Sequence, residues 1–219
     1  MERSLRLTDD GSHTLYVDKL DEVYHSAHGA LQESVHVFIK QGLHTITKSR
    51  LNILEIGFGT GLNALLTLHF SRKSKQEVRY YAVEKYPLSR AEYSQLNSEQ
   101  FVDGVPRGCL NLMHDAEWGR SVKVTEGFSL FKEQADFRSM DSPGDFDLVY
   151  FDAFSPDKQP ELWSAEVFAT IGKSTSKGAV LVTYSSKGVV RRTLSACGFS
   201  IEKVPGPPGK REIIRAIRI

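Results

Sequence analysis

The segment Leu54-Glu55-Ile56-Gly57-Phe58-Gly59-Thr60-Gly61-Leu62-Asn63 narrows the folds open to this chain more than any other stretch. A glycine at every second position lets the backbone reverse sharply and lets a ligand approach the main chain, because no Cβ stands in the way. The apolar run Leu51–Ile56 ahead of it reads as a buried strand, and Leu62–Phe70 behind it as a helix. A glycine turn between strand and helix lies at the carboxyl edge of an α/β sheet, where such sheets bind their ligands.

The same rhythm persists downstream. Val78–Val83 reads as a second strand ending at Glu84, and Pro87 suits the first turn of the next helix. Asp147–Phe151 is a predicted strand with Pro160–Ile171 as its helix. Val180–Tyr184 is another, with helix Val189–Ala196 stopped by Gly198. Strands alternating with helices predict a mainly parallel sheet covered on both faces. The flanks differ. Ser4–Thr8 and His13–Val17 alternate about Asp9-Asp10-Gly11 as a hairpin, and Tyr24–Phe38 carries Ala30, Leu31, Val35 and Phe38 at helical spacing. A hairpin is expected near Val122–Gln134, and Ser200–Val204 with Glu212–Ile217 as a closing antiparallel pair. A length of 219 residues supports one large core rather than two. The expectation is a single domain, with residues 1–50 as an N-terminal extension and 51–219 as a Rossmann-like core.

Composition removes several classes. The formal net charge of +1 means that any nucleic-acid contact must come from a local patch. Met1–Asp10 has no apolar core of a signal peptide, and no apolar run approaches the ~20 residues that span a bilayer, so no membrane partner and a cytoplasmic location are expected. The only cysteines, Cys109 and Cys197, are far apart and form no CxxC, which fits a reducing compartment. Gly172-Lys173-Ser174 looks like the end of a phosphate-binding loop, but Val167 stands where that motif needs a glycine. His25 and His28 have no evident third ligand, so no metal is expected.

The GxGxG spacing, with an acid one position before its last strand residue, resembles the first motif of class I S-adenosylmethionine-dependent methyltransferases. In them the glycines pass under the amino-acid part of the cofactor. The expected fold is thus α/β, class I methyltransferase and Rossmann-like, with an N-terminal β-hairpin/helix extension. Glu55, Gly57, Gly59, Thr60, Gly61 and Asn63 become candidate cofactor-binding residues. Glu84 ends the second strand, where a carboxylate accepts from ribose hydroxyls, although an NAD enzyme places an acid similarly. Asp136 is a candidate for the adenine amino group, and Glu33 for the cofactor's amino-acid group. Asp152 ends the strand Asp147–Phe151. A carboxylate there can orient an amine acceptor, stabilise positive charge developing on its nitrogen and collect the leaving proton. Phe154, Ser155, Pro156 and Tyr184 follow as acceptor-facing candidates, with the two aromatic rings able to stack on a base.

Several stretches resemble a narrower family, the methyltransferase half of the bifunctional tRNA 5-methylaminomethyl-2-thiouridine biosynthesis protein and its stand-alone relatives. They are Thr8–Ser12, Tyr24-His25-Ser26, Gly29–Ser34, Leu54–Asn63, Phe151–Pro156, Pro160–Trp163, Thr183-Tyr184-Ser185 and Gly206–Glu212. The resemblance implies N-methylation of 5-aminomethyl-2-thiouridine at the wobble position of tRNA, in the anticodon loop, with the aspartate matching Asp152 facing the amine. No second GxGxxG unit is present. No FAD is therefore expected, and a separate enzyme would supply the aminomethyl form.

From Lys187 to Ile219 eight basic residues face only Glu202 and Glu212, a local charge of +6. Phosphate contacts carry most RNA affinity, so Lys210 and Arg211 are candidate tRNA-binding residues. A second cluster is Arg72, Lys73, Lys75 and Arg79. The competing readings are methyl or aminopropyl transfer to a small amine on the same fold, a non-catalytic RNA-binding module, and, least favoured by the glycine spacing, a dehydrogenase.

Overall fold

The computed structural model describes residues 2–141 and 144–219. Its centre is β4 (Arg50–Ile56), which is parallel to β5 (Glu77–Glu84) on one side and to β8 (Phe146–Phe151) on the other. The sheet continues through β7 (Phe128–Gln134), parallel to β5, and β9 (Thr175–Thr183), parallel to β8. Antiparallel strands close both edges. β6 (Ser121–Thr125) pairs with β7, while β11 (Glu212–Arg218) pairs with β9 and β10 (Phe199–Pro205) with β11. The full order is β10-β11-β9-β8-β4-β5-β7-β6, with the reversal of winding between β4 and β8. In such a sheet the crevice above that switch point holds the ligand.

Strand parity fixes what each residue of β4 faces, because successive side chains point to opposite faces. Leu51 and Ile53 join the core under α2 (Leu62–Ser74) and α4 (Cys109–Asp115). Leu54 and Ile56 join the opposite core, with α5 (Ala165–Lys173) and α6 (Gly188–Ala196). Both faces are buried, as expected for a parallel sheet. Glu55 shares the parity of Ile53. Its side chain is fully buried under α2.

A separate three-stranded sheet, β1 (Arg3–Leu7), β2 (His13–Val17) and β3 (Glu22–Val23), leans on the carboxyl edge of the main one. The N-terminal hairpin, the Val122–Gln134 hairpin and the closing antiparallel pair are all present.

Four boundaries differ from the sequence expectation. Residues 24–29 are not helical: α1 begins only at Ala30, after Gly29 at φ 145°, and runs to Ser34 before continuing as a π-helical segment, Val35–Lys40. Pro87 lies outside α3 (Arg90–Tyr93), which starts from a capping box made by Ser89 and Glu92. The stretch 160–171 is broken at Ser164, whose side chain accepts from the Val167 backbone N–H and caps α5. β9 starts at Thr175, earlier than Val180, with a register shift against β8.

Candidate active site

A cavity opens over the carboxyl ends of β4, β5, β7 and β8, and the glycine turn forms its floor. Gly57, Gly59 and Gly61 all have positive φ, at 94°, 50° and 73°. A Cβ on Gly57 would stand 2.4 Å from the carbonyl oxygen of Asp152, and one on Gly59 would stand 2.9 Å from the Tyr24 ring. Only glycine fits both places. Gly61 is the left-handed residue that opens α2; it does not line the cavity.

Glu84 bridges two elements. One carboxylate oxygen accepts from the Gly59 N–H at 3.0 Å and the other from the Tyr86 N–H at 2.7 Å. The carboxylate lines the cavity and keeps lone pairs for hydroxyl donors. Beside it, Ala135, Asp136, Phe137 and Tyr86 line a flat, partly apolar slot. Asp136 is already engaged there. It accepts from the Arg138 backbone N–H and side chain and from Lys85 Nζ at 3.0 Å, and the Arg138 guanidinium, with Lys85, holds its carboxyl well below the usual range. Its expected role at an adenine amino group would have to share these partners.

The opposite end is acidic. Asp152 Oδ2 accepts from Asn63 Nδ2 at 2.7 Å, and the same nitrogen donates to Glu55 Oε1 at 3.0 Å. Burial, and then the charge of Glu33, push the Asp152 carboxyl up to about 7, against the opposing effects of the Asn63 hydrogen bond and Lys210. Glu55 is raised well above its ordinary value by burial and by Asp152, which favours its neutral form. It does not line the cavity; its link to the site runs through Asn63.

Residues from outside the core complete the acidic end. Glu33 is 7% exposed, accepts from the Ser26 N–H at 2.8 Å and pairs with Lys210 Nζ at 2.6 Å. Glu22 accepts from the Ser155 N–H and hydroxyl, and Tyr24 packs edge-on against Phe154 with centroids 5.0 Å apart. Tyr184 donates to the Ala153 carbonyl at 2.8 Å.

Of the sequence candidates, the cavity brings together Glu33, Gly57, Gly59, Thr60, Asn63, Glu84, Asp136, Asp152, Phe154, Tyr184 and Lys210. It leaves Ser155, Pro156 and Arg211 outside its wall, along with Glu55 and Gly61. Glu22, Tyr24, Ser26 and Arg138 line it without having been assigned a role from sequence. Tyr24 had a signal, since it opens one of the family-like stretches, but the expected helix hid its direction. His25 lines the cavity as well; burial lowers it to about 4, so it is neutral. His28 points elsewhere and meets Asp9 at 3.2 Å. Among the described residues no group of three or more His, Cys, Asp and Glu is placed to hold a metal ion, and no helix is long and apolar enough to cross a membrane.

The C-terminal basic segment is less open than its charge suggests. Lys187 pairs with Asp157, Lys203 with Glu212, Lys210 with Glu33 and Arg215 with Glu202, while Arg218 caps the carbonyls of Gly172 and Gly198. Arg192 and Arg211 are exposed.

The donor set fits S-adenosyl-L-methionine. Glu84 suits the ribose, the glycine turn leaves room for the amino-acid portion, and beside that turn Thr60 Oγ1 and Asn63 Oδ1 are buried with no hydrogen-bond partner among the described residues.

Residues 129–219 match the model of a family described as S-adenosyl-L-methionine-dependent methyltransferase. Over 90% of its length the chain is 32% identical to the tRNA 5-methylaminomethyl-2-thiouridine biosynthesis bifunctional protein MnmC of Leptospira interrogans, covering 32% of that protein. The chain thus spans about a third of the curated relatives it matches. Among solved structures it is similar to MnmC2 from Aquifex aeolicus, with a TM-score of 0.77 and 26% identity over 99% of this chain and 70% of that one. The spermidine synthase of Thermotoga maritima shares the fold, with a TM-score of 0.60 at 12% identity, over 98% of this chain and 68% of that one. On fold, glycine turn and family match together, the chain has the Rossmann-like α/β fold of class I methyltransferases, its residues 129–219 match an S-adenosyl-L-methionine-dependent methyltransferase family, and over most of its length it is similar to the MnmC proteins.

Proposed function

We propose that this protein methylates the amine of 5-aminomethyl-2-thiouridine at the wobble position of tRNA. The observation that carries the reading is Asp152, held by Asn63 at the cavity wall directly above the glycine turn, with Tyr184 and Phe154 beside it. The named activity of the MnmC relatives supports the choice of tRNA.

When bound, S-adenosylmethionine supplies an electrophilic methyl group on a sulfonium centre. Glu84 takes the ribose hydroxyls, and the backbone around Gly57 and Gly59 leaves space for the amino-acid portion. The acceptor enters from the acidic end, where its base can stack on Phe154 or Tyr184. Asp152 orients the amine and stabilises the positive charge that grows on nitrogen as the nitrogen–carbon bond forms and the carbon–sulfur bond breaks. A carboxyl group near 7 also suits transient uptake of the proton that the methylated amine sheds. Arg192 and Arg211 are free to meet phosphates of the anticodon arm.

The test is transfer of labelled methyl to bulk tRNA from cells lacking this protein, followed by nucleoside analysis. Label in 5-methylaminomethyl-2-thiouridine supports the reading. Label absent from tRNA but accepted by small polyamines would favour the second reading, which the carboxylates Glu22, Glu33 and Asp152 make chemically reasonable.

A further inference from the structure

The loop between β10 and β11 sends one cation into the cavity. Pro207–Lys210 is a tight turn closed by the Lys210 N–H on the Pro207 carbonyl at 2.9 Å, with Gly209 at φ 85° in its third position. The turn is fixed against its surroundings: a Cβ on Gly209 would stand 2.7 Å from the His28 ring, and one on Gly206 2.4 Å from the Lys210 carbonyl oxygen. Lys210 Nζ then lies 2.6 Å from Glu33 Oε1 and 4.3 Å from the Tyr184 ring centroid. An exposed lysine reaching for RNA phosphate would not be held between a buried carboxylate and an aromatic face.

We propose that Lys210 is a positioning residue that neutralises Glu33, so that the acceptor amine meets Asp152 without the buried charge of Glu33 added to it. The proposal rests on the amine-methyltransferase reading. The charged and titratable groups facing this end are Glu33 from α1, Glu22 from β3, Asp152 after β8 and Tyr184 after β9, with Glu55, whose neutral form burial favours, behind Asn63 and neutral His25 below. An alkyl ammonium has no lone pair and must lose its proton before it attacks. Each unopposed carboxylate nearby makes that loss harder, because negative charge raises an amine's pKa. Pairing Glu33 with Lys210 takes one carboxylate out of that balance and leaves Asp152, with Glu22 engaged by Ser155, to attract the cation. The nitrogen lone pair then forms the bond to the methyl carbon, the carbon–sulfur electrons remain on sulfur, and the surplus proton leaves the secondary ammonium through Asp152 or solvent.

The experiment compares wild type, Lys210→Met, Glu33→Gln, the double variant and Lys210→Arg by two measurements. One is the pH profile of methyl transfer to tRNA; the other is the titration of the Asp152 carboxyl followed by carbon NMR in the protein without tRNA. Loss of the cation leaves Glu33 unopposed, so Lys210→Met raises both midpoints, by about one pH unit. Glu33→Gln leaves Lys210 unopposed and lowers both. The double variant returns towards wild type, and Lys210→Arg keeps the wild-type midpoints. If Lys210→Met instead weakens tRNA binding in a salt-sensitive way with both midpoints unmoved, or if the double variant shows no return, the proposal is overturned. A wild-type protein that transfers nothing to tRNA would sink the functional reading, while the Asp152 titration would still decide the Lys210–Glu33 relationship.

Discussion

The side-chain nitrogen of Asn63 lies 2.7 Å from Asp152 Oδ2 and holds that carboxylate towards the glycine turn. Both protons of the amide are used, since Glu55 accepts the other at 3.0 Å. Replacing Asn63 by Leu removes the donor and leaves Asp152 free to rotate and harder to ionise. We expect kcat, measured at saturating cofactor, to fall by about 10–100-fold, the order that a misplaced catalytic group costs. Asp152→Ala lowers turnover further and keeps wild-type cofactor affinity by calorimetry. Loss of cofactor binding in a folded Asp152→Ala protein would assign the residue to the wrong end of the cavity.

Glu55 gives a stability prediction with a definite sign. Its folded pKa is raised, so its protonated form is favoured by folding. The contribution is full below the ordinary carboxylate pKa and is lost as pH rises towards the folded value. Glu55→Gln keeps a neutral acceptor for Asn63 and cannot ionise. The melting temperature of the variant relative to wild type should therefore climb as pH increases from about 4. A difference that stays flat with pH would mean that Glu55 is not held protonated.

Gly57→Ala combines a backbone at φ 94° with a Cβ 2.4 Å from the Asp152 carbonyl. The strained backbone alone costs about 1–3 kcal/mol, and the clash displaces Asp152 as well. Denaturant titration should show the loss, and cofactor affinity should fall with it. A stable Gly57→Ala protein with normal affinity would contradict the close approach of these two loops.

Arg192→Ala and Arg211→Ala remove exposed cations that, among the described residues, no ion pair restrains in the way that Glu202 restrains Arg215. Each should weaken tRNA binding and flatten its dependence on salt by up to about one unit of log–log slope. Unchanged affinity at low salt would move the RNA surface elsewhere.

What the sequence made legible was periodic or glycine-bound. The strand before Gly57, the antiparallel closing pair and the positions of Glu84 and Asp152 follow from apolar runs and turn chemistry, and the structure has them there. The misses are tertiary. Glu55 belongs to the motif by spacing, but strand parity turns it under α2, away from the cavity. Tyr24–Gly29 shares a helical pattern with Ala30–Phe38, yet the segment bends and turns instead, because the Tyr24 N–H pairs with Leu15, the Gly29 N–H with Ser26, and Gly29 takes φ 145°. The C-terminal lysines and arginines count as charge in one dimension and as ion-pair partners in three.

The N-terminal sheet brings Glu22 and Tyr24 to the cavity, and α1 brings Glu33, whereas the glycine turn and Glu84 come from the core. On the proposed function, part of the acceptor's surroundings is therefore written in a stretch of chain separate from the glycine turn and Glu84. Exchanging residues 22–33 between related enzymes should exchange acceptor preference while preserving cofactor affinity. A lineage could explore new amines by varying Glu22, Ser26 and Glu33 in that segment, while Ala30 and Leu31 keep their places in the core.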